Sequence, residues 1–304
     1  MTMPQPIEAP RLADPLLAAR RRVEEALGLY LPDPSATGCP PRLAEAMRYS
    51  LLGGGKRLRP VLCLLAAEAC GGDAEAALPS AVALEMVHTY SLIHDDLPSM
   101  DDDDLRRGRP TCHKAFDEAT AILAGDGLLT LAFEVVARHT RPAEAAVECL
   151  RALAEGAGPA GMVAGQMADL EAEGRDDPTV AALEAIHRRK TGALLRAALR
   201  MGGIVAGADP ARLRALEAYG HAVGLAFQIV DDLLDVEGDE AKLGKRVKKD
   251  HGLGKWTYPG LLGIPGSRAR AKALGDEAVA ALAPFGERGT TLRALAMDLL
   301  ERDR

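Results

Sequence analysis

The chain has 304 residues, of which 48% are hydrophobic and only 3% aromatic, and its net charge is −7. This length can bury a substantial core in one large domain or two smaller ones. The acidic balance and the scarcity of aromatic rings argue against a nucleic-acid partner, which needs a basic surface and stacking platforms.

The cysteines and the N-terminus indicate the compartment. Five cysteines form no CxxC pair, and an odd count without a signal sequence is typical of reduced thiols in a cytosol. No apolar stretch approaches the roughly 20 residues of a membrane span. The sequence therefore predicts a cytoplasmic protein without a membrane span, in which residues 1–14 form a loose tail.

Apolar residues recur at helical spacing along the chain, and Ala and Leu dominate, so we expect a core of helix packed on helix. No strand-like alternation, internal repeat or low-complexity linker is visible, which favours one all-α domain over residues 1–304. The predicted helices cover 15–30, 42–52, 61–70, 76–96, 117–139 and 142–155, then a segment with Gln166, one from 179 through 192, one from 210 to 235, and two within 266–302.

A basic turn follows the second predicted helix. Gly53, Gly54 and Gly55 precede Lys56-Arg57-Leu58-Arg59-Pro60 and another apolar helix. Glycines let backbone amides approach an anion, and helix N-termini favour negative charge, so this turn is a candidate phosphate site. It matches no P-loop pattern, and the alternative is ordinary basic surface.

The first acid cluster is the run Asp95-Asp96-Leu97-Pro98-Ser99-Met100-Asp101-Asp102-Asp103-Asp104, at the end of an apolar helix. His88 is seven residues before Asp95, so the two side chains are expected to point the same way. Arg106, Arg107 and Arg109 follow the acids, and arginine forks match phosphate oxygens well.

The second acid cluster is Asp231-Asp232-Leu233-Leu234-Asp235. Gln228, Asp231 and Asp235 fall on one helical stripe, and Asp232 lies off it. Crowded carboxylates need protons or a cation between them, and Mg²⁺ takes one or two carboxylates and completes its shell with substrate phosphates. Two facing clusters would therefore hold a diphosphate, whereas the alternative is a pair of solvated helix ends.

Two further basic segments are candidate anion contacts. Lys190 and Thr191 lie on an otherwise apolar stretch, where Lys190 could equally extend its ammonium to the solvent. The polar loop over 238–254 contains Lys245 and several other lysines. It is either a flexible tether or a lid that closes over phosphates.

These pieces together resemble the short-chain trans-prenyl diphosphate synthases. The resemblance covers about residues 42–262 and depends on the glycine-led turn at 53–60, His88, both acid clusters, Lys190-Thr191, Phe227-Gln228 and Lys245. It implies an all-α bundle of ten or more helices around a central cavity, a homodimer, and a reaction between isopentenyl diphosphate and an allylic diphosphate.

The same resemblance implies the site residues. Magnesium would be held by Asp95, Asp96, Asp101, Asp231 and Asp235. The allylic diphosphate would be held by Arg106, Lys190, Thr191, Gln228 and Lys245, and isopentenyl diphosphate by Lys56, Arg59, His88 and Arg107.

The choice between Asp101 and Asp102 as the metal ligand stays open from the sequence. On an unbroken helix Asp95 shares a face with Asp102, so the backbone must deviate if Asp101 is to be the ligand. Pro98 gives a reason for such a deviation, because proline removes a backbone donor and tends to kink or end helices.

Product length is expected to depend on Tyr90 and Ser91, which the resemblance places below the first cluster. Tyr90 is five residues before Asp95, about 7.5 Å along the helix axis. In similar enzymes a bulky aromatic residue at this offset stops growth at fifteen carbons, so the resemblance implies farnesyl diphosphate as the product. Geranyl or geranylgeranyl diphosphate is the alternative product. Other classes considered are a terpene cyclase, a helical metal phosphohydrolase that uses His94 and Asp95, and a non-catalytic partner subunit.

Overall fold

The computed structural model describes residues 13–175, 177–237 and 256–301, and most of these are helical. The helices are α1 (Ala13–Leu27), α2 (Pro34–Thr37), α3 (Pro41–Leu51), α4 (Leu58–Ala69), α5 (Ala74–Asp95), α6 (Cys112–Ala115), α7 (Glu118–His139), α8 (Ala143–Ala157), α9 (Met162–Ala172), α10 (Val180–Lys190), α11 (Gly192–Val205), α12 (Pro210–Glu237), α13 (Tyr258–Ala281) and α14 (Thr290–Glu301). The predicted all-α fold with ten or more helices is confirmed.

Two predicted segments fall largely outside these residues. The tail over 1–14 lies outside the described residues except for its last two positions, where α1 already begins. The loop over 238–254 with Lys245 also lies outside them.

One short pair of strands occurs within the all-α fold. Strands β1 (Leu105–Arg106) and β2 (Arg109–Pro110) form an antiparallel hairpin. Arg107 and Gly108 connect them with φ values of 55° and 75°, and positive φ at both central residues is the requirement of a tight hairpin turn. Strands of two residues are too short to show any alternation in the sequence.

The centre of the bundle is built from α11, which packs against α4, α5, α8 and α12. Gly202 makes the approach to α4 possible, because a Cβ at this position would overlap the Cys63 carbonyl oxygen. One cluster of buried apolar side chains extends from α1 to α14. The basic turn before α4 and the ends of α5, α10 and α12 are thereby fixed in position.

Helix boundaries follow the sequence signals at several termini. Asp73 caps α5 by accepting a hydrogen bond from Glu75 N at 2.9 Å, and Asp209 caps α12 by accepting one from Ala211 N at 2.9 Å. The single helix expected through residues 190–192 is instead two helices, because Thr191, with φ −106° and ψ −46°, separates α10 from α11.

Among the described residues, α7 is the one helix long and apolar enough to cross a membrane. It packs against α3, α5 and α8, and Ala121, Ala124 and Leu128 are fully buried. The burial of these residues in the core of the bundle explains why α7 is apolar. Ile122 and Leu123 on its other face are 44% and 58% exposed.

Candidate active site

The glycine-led turn before α4 brings a cation to the second acid cluster on α12. Gly54 and Gly55 have φ values of 80° and 138°, which glycine adopts without steric cost. The Lys56 ammonium lies 3.7 Å from Asp231 Oδ1 and 5.1 Å from the centroid of the Phe227 ring. The basic turn and the second cluster are therefore neighbours.

Arg59, on the first turn of α4, has a buried Nε with no hydrogen-bond partner among the described residues. Burial lowers the pKa of Arg59 to about 10, Arg107 acts in the same direction, and Glu85 and Asp231 act in the opposite one. The guanidinium is therefore still charged at pH 7. A buried, charged donor with an open N–H group is suited to an anionic ligand.

His88 lies on α5 next to these cations. Burial is the main reason why its pKa lies well below the ordinary value, and the positive charges of Arg59, Arg107 and Arg106 lower it further. The imidazole is therefore neutral at pH 7 and can donate one hydrogen bond without adding charge.

The β1–β2 hairpin places two arginines differently. Arg106 donates to the Asp96 carboxylate from Nε, at 2.8 and 3.0 Å, and from Nη2, at 2.6 Å. Arg107 Nη1 donates to the Gly54 carbonyl oxygen and so connects the hairpin to the basic turn.

Asp96 does not fit the metal-ligand role that we expected for it. Its side chain is only 3% exposed, and Arg106 occupies both carboxylate oxygens. Burial raises the pKa of Asp96, and the bond to Arg106 acts against this shift. We therefore interpret Asp96 as the residue that orients Arg106.

The backbone of the first cluster deviates as the Asp101 assignment requires. Helix α5 ends at Asp95, and the chain then folds back, so that Asp101 N donates to the Asp95 carbonyl oxygen at 2.8 Å. Burial raises the pKa of Asp95 to about 6, Lys190 opposes this shift, and the charge of Asp101 adds to it. Asp95, Asp101 and Lys190 therefore share one region.

Asp102 belongs to a different group. It has a positive φ of 47°, and one of its oxygens lies within 4.8 Å of ligand atoms of Asp104 and His113. Asp104 is also paired with Lys114 at 2.9 Å. Asp102, Asp104 and His113 thus form a cluster of potential metal ligands of their own, in the loop that also carries Asp101.

The second cluster lies on the unbroken helix α12. Asp231 faces Lys56, whereas Asp232 is 7% exposed and accepts a hydrogen bond from Tyr258 N at 2.9 Å. Asp235, on the stripe of Asp231, is also 7% exposed. The predicted division of the cluster, with Asp232 off the stripe, agrees with these contacts.

The junction of α10 and α11 connects the two clusters. Lys190 Nζ donates to Asp169 Oδ2 at 2.5 Å, and Thr191 Oγ1 donates to Gln228 Oε1 at 3.0 Å. Gly165 on α9 permits this junction, because a Cβ there would overlap the backbone nitrogen of Lys190.

These contacts link residues of the two acid clusters and of the basic turn into a ring of spatial neighbours. Lys190 acts on Asp95, and Thr191 binds Gln228, which lies one helical turn before Asp231. Lys56 and Arg59 lie next to Asp231, and His88, two turns before Asp95 on α5, lies next to Arg59. The structure thus brings six of the predicted residues close to Asp95 or Asp231, namely Lys56, Arg59, His88, Lys190, Thr191 and Gln228.

Tyr90 and Ser91 lie below the first cluster on α5. Tyr90 is 7% exposed, and its ring meets the His94 imidazole edge to face, with centroids 5.7 Å apart. Ser91 Oγ donates to the His88 carbonyl oxygen at 2.9 Å, so its hydroxyl is used within the helix. Gly125 on α7 leaves room for His94, because a Cβ at Gly125 would overlap the imidazole.

Sequence reasoning missed two carboxylates of this region. Glu24 on α1 and Glu85 on α5 both bind Arg57, which is 2% exposed. Glu85 carries a signal that could have been used, since it is a charged residue within an apolar helix, three residues before His88. Glu24 carries no such signal, because it lies on the mixed polar and apolar helix α1.

The donor set around the acids fits a hard divalent cation. Asp95 has a raised pKa because its carboxylate is buried and lies near Asp101, and a cation between such carboxylates would relieve this repulsion. Carboxylate oxygens with room for water and phosphate oxygens are the ligands that Mg²⁺ prefers.

Solved structures share this architecture. The apo crystal structure of an FPP/GFPP synthase from Zymomonas mobilis has a TM-score of 0.83 and 40% sequence identity, over 95% of this chain and 98% of that one. The fold and the site define an all-α enzyme of the isoprenoid synthase type.

Sequence comparison gives the family. Residues 40–280 match the polyprenyl synthetase model. The farnesyl diphosphate synthase of Geobacillus stearothermophilus is 50% identical over 83% of this chain and 84% of its own length. The geranylgeranyl diphosphate synthase of Cyanophora paradoxa is 44% identical over 92% of this chain and 93% of its own length. The chain belongs to the polyprenyl synthetase family and is a prenyltransferase, which confirms the resemblance found in the sequence.

Proposed function

We propose that this enzyme condenses isopentenyl diphosphate with dimethylallyl and geranyl diphosphate, in the presence of Mg²⁺, and releases farnesyl diphosphate. One observation supports the proposal: Lys56 and Arg59 lie beside Asp231, and His88 lies beside Arg59, so that these side chains would form a pocket for a second anion. Arg59 contributes an unpartnered guanidinium Nε to this pocket, His88 is neutral, and Lys56 borders on Asp231.

The acid side would bind the allylic diphosphate. Asp95, Asp101 and Asp231 would hold Mg²⁺, with Asp235 in support, and the metal would neutralise the charge of the departing diphosphate. Arg106, Lys190, Thr191 and Gln228 would donate hydrogen bonds to the same group. Lys190 exchanges its bond to Asp169 for one to the substrate in this proposal.

The cationic side would bind isopentenyl diphosphate. Lys56, Arg59 and Arg107 would contact its phosphate oxygens, and His88 would donate a hydrogen bond without placing another charge among the arginines. This pocket holds the double bond of isopentenyl diphosphate against the allylic carbon, so that the reaction depends on positioning.

Cleavage of the allylic carbon–oxygen bond gives the electron pair to the diphosphate and leaves an allylic cation. The double bond of isopentenyl diphosphate attacks this cation, and loss of a proton to the released diphosphate restores an allylic product. The buried apolar side chains of the neighbouring helices would exclude water, which would otherwise trap the cation.

Tyr90 is the residue on which we base the farnesyl product, with Ser91 next to it. The buried ring is held edge-on by His94, and a fixed ring five residues below Asp95 limits the length of chain that fits. Tyr90→Ala should lengthen the product to geranylgeranyl diphosphate or beyond. An unchanged product distribution would show that Tyr90 does not limit the length of the product.

Incubation of the purified enzyme with Mg²⁺, isopentenyl diphosphate and a series of allylic diphosphates tests the function directly. We expect farnesyl diphosphate as the main product and no product when isopentenyl diphosphate or Mg²⁺ is left out. Cyclic hydrocarbons formed without isopentenyl diphosphate would indicate a cyclase instead. The phosphohydrolase alternative needs His94 and Asp95 to act together, but His94 Nε2 contacts the Ile122 carbonyl oxygen at 3.1 Å and lies 3.9 Å from Asp126 Oδ1, which argues against it.

We also infer a cytoplasmic homodimer. The free cysteines support a reducing compartment. Ile122 and Leu123 give α7 an exposed apolar face, which a second subunit would cover. Sedimentation analysis of the purified enzyme would show a monomer if this inference is wrong.

A further inference from the structure

Arg57 is the buried centre of an ion cluster beneath the basic turn. Its Nη1 donates to Glu85 Oε1 at 2.7 Å, and its Nε and Nη2 donate to Glu24 at 2.9 and 3.2 Å. Nη2 also donates to the Leu51 carbonyl oxygen at 2.9 Å. The guanidinium thus ties α1, α3 and α5 to the turn that begins α4.

The backbone conformation of Arg57 needs stabilising contacts of this kind. Its φ of 51° and ψ of 34° are left-handed values, which cost an L-residue with a side chain roughly 1–2 kcal/mol. A conformation of this kind persists when surrounding contacts determine it. The four hydrogen bonds that the Arg57 guanidinium donates supply those contacts.

The turn carries the two cations that the proposed function assigns to isopentenyl diphosphate. Lys56 directly precedes Arg57, and Arg59 follows it by two residues, so a change in the backbone at Arg57 would move both. Lys56 has an exposed side chain whose ammonium lies 3.7 Å from Asp231 Oδ1 and 5.1 Å from the centroid of the Phe227 ring, both on α12. The direction of these side chains therefore depends on the backbone of the turn.

Glu85 also acts on the charges around it. Its carboxylate is 2% exposed and raises the pKa values of Arg57, Arg59 and Arg107 against the effect of burial. Three guanidinium groups close together repel one another, and a buried carboxylate among them offsets part of this repulsion.

We propose that Glu85 and Glu24 are positioning residues for the isopentenyl diphosphate pocket and act through Arg57. They do not touch the substrate themselves. Glu24 lies outside residues 40–280, the range of the polyprenyl synthetase match, so α1 contributes to the pocket from beyond that range. This inference rests on the proposed function.

Steady-state kinetics of Glu85→Gln and Glu24→Gln with both substrates test the inference. Glutamine keeps the shape of the side chain and removes its charge. We expect the KM for isopentenyl diphosphate to rise about tenfold for Glu85→Gln and about threefold for the more exposed Glu24→Gln. The KM for geranyl diphosphate should stay within about twofold of the wild-type value, because the acid side is intact.

Glu75→Gln is the matched control. Glu75 on α5 pairs with Arg22 on α1 at 2.7 Å, so this second ion pair joins the same two helices, but it is exposed. Its loss should leave both KM values unchanged. A purely structural role of Glu85 would lower the fraction of active enzyme and kcat, with an unchanged KM for isopentenyl diphosphate.

Arg57→Gly removes the guanidinium and its hydrogen bonds but does not strain the backbone, since glycine adopts the left-handed conformation readily. The proposal expects a raised KM for isopentenyl diphosphate in this variant as well. An active wild type together with unchanged KM values in Glu24→Gln and Arg57→Gly would overturn the inference and leave the proposed function intact. A wild type that forms no carbon–carbon bond would overturn both.

Discussion

The two acid clusters have similar compositions, but the backbone carries them in different ways. Asp231, Asp232 and Asp235 lie on the continuous helix α12, where helical spacing alone determines which carboxylate faces the site. In the first cluster α5 ends at Asp95, and a folded-back loop brings Asp101 to it. A regular helix and an irregular loop thus present carboxylates to the same region.

Each cluster also divides its acids between the site and the scaffold. Asp96 is buried and binds Arg106, and Asp232 is buried and accepts a hydrogen bond from the backbone of Tyr258. In both pairs the first aspartate faces the site, and the second fixes a neighbouring segment. A run of aspartates in a sequence is therefore not a set of equivalent ligands.

The largest expected effect tests whether the two clusters act as one unit. Asp95→Ala and Asp231→Ala should each lower kcat/KM by roughly 10³-fold or more, because each removes a carboxylate from a shared cation. The double variant should be little worse than either single one, since groups that act together are not additive. Multiplicative losses in single-turnover assays would show that the clusters work independently.

A smaller effect distinguishes the two candidate ligands of the first cluster. Asp101→Asn should lower kcat/KM roughly 10²-fold, because Asp101 lies next to Asp95. Asp102→Asn is the matched control, and we expect a change below about threefold, since Asp102 lies with Asp104 and His113. A larger loss of kcat/KM in Asp102→Asn than in Asp101→Asn would indicate that Asp102 is the metal ligand.

These assignments show how far the sequence alone could lead. The spacing of Gln228, Asp231 and Asp235 predicted that they share one face of a helix, and α12 is continuous over these residues. The geometry of the first cluster depends on an irregular loop. No sequence periodicity predicts the hydrogen bond in this loop from Asp101 N to the Asp95 carbonyl oxygen. The pairing of Arg57 with Glu24 was also unpredictable, because it joins residues 33 positions apart through tertiary packing.

A third prediction concerns the scaffold role of Asp232. Asp232→Ala leaves the buried Tyr258 N–H without its carboxylate acceptor, which should lower the free energy of unfolding by about 1–3 kcal/mol. The midpoint of thermal unfolding should fall by several degrees, and kcat per folded enzyme should change much less than in Asp231→Ala. A large loss of kcat with an unchanged midpoint would contradict this division of roles.

The smallest expected effect is a gain in stability. Because burial raises the pKa of Asp95 to about 6 from an ordinary 3.8, the ionised carboxylate destabilises the metal-free fold. This cost is fully present above about pH 6 and falls as the pH decreases toward 4, where the carboxylate is protonated. Asp95→Asn should therefore raise the unfolding midpoint of metal-free enzyme by roughly 2–4 °C at pH 8.

The same variant should gain less at pH 5, because the wild-type carboxylate is then already largely protonated. Asp231→Asn serves as the comparison, since its carboxylate lies next to the Lys56 ammonium and its removal should bring no gain. Thermal denaturation in the presence of a chelator, at both pH values, measures the difference. Equal unfolding midpoints for wild type and Asp95→Asn at pH 8 would show that the buried Asp95 carboxylate does not destabilise the metal-free enzyme.

The absent side chain at Gly125 has a practical consequence for enzyme engineering. The His94 ring occupies the space that a Cβ on α7 would fill, and it supports the Tyr90 ring from there. Under the proposed role of Tyr90 in limiting chain length, the space for the growing isoprenoid would be adjustable from a second helix, whose own residue need not touch the isoprenoid. Libraries that vary position 125 together with position 94 could retune product size and leave the reacting end of the enzyme untouched.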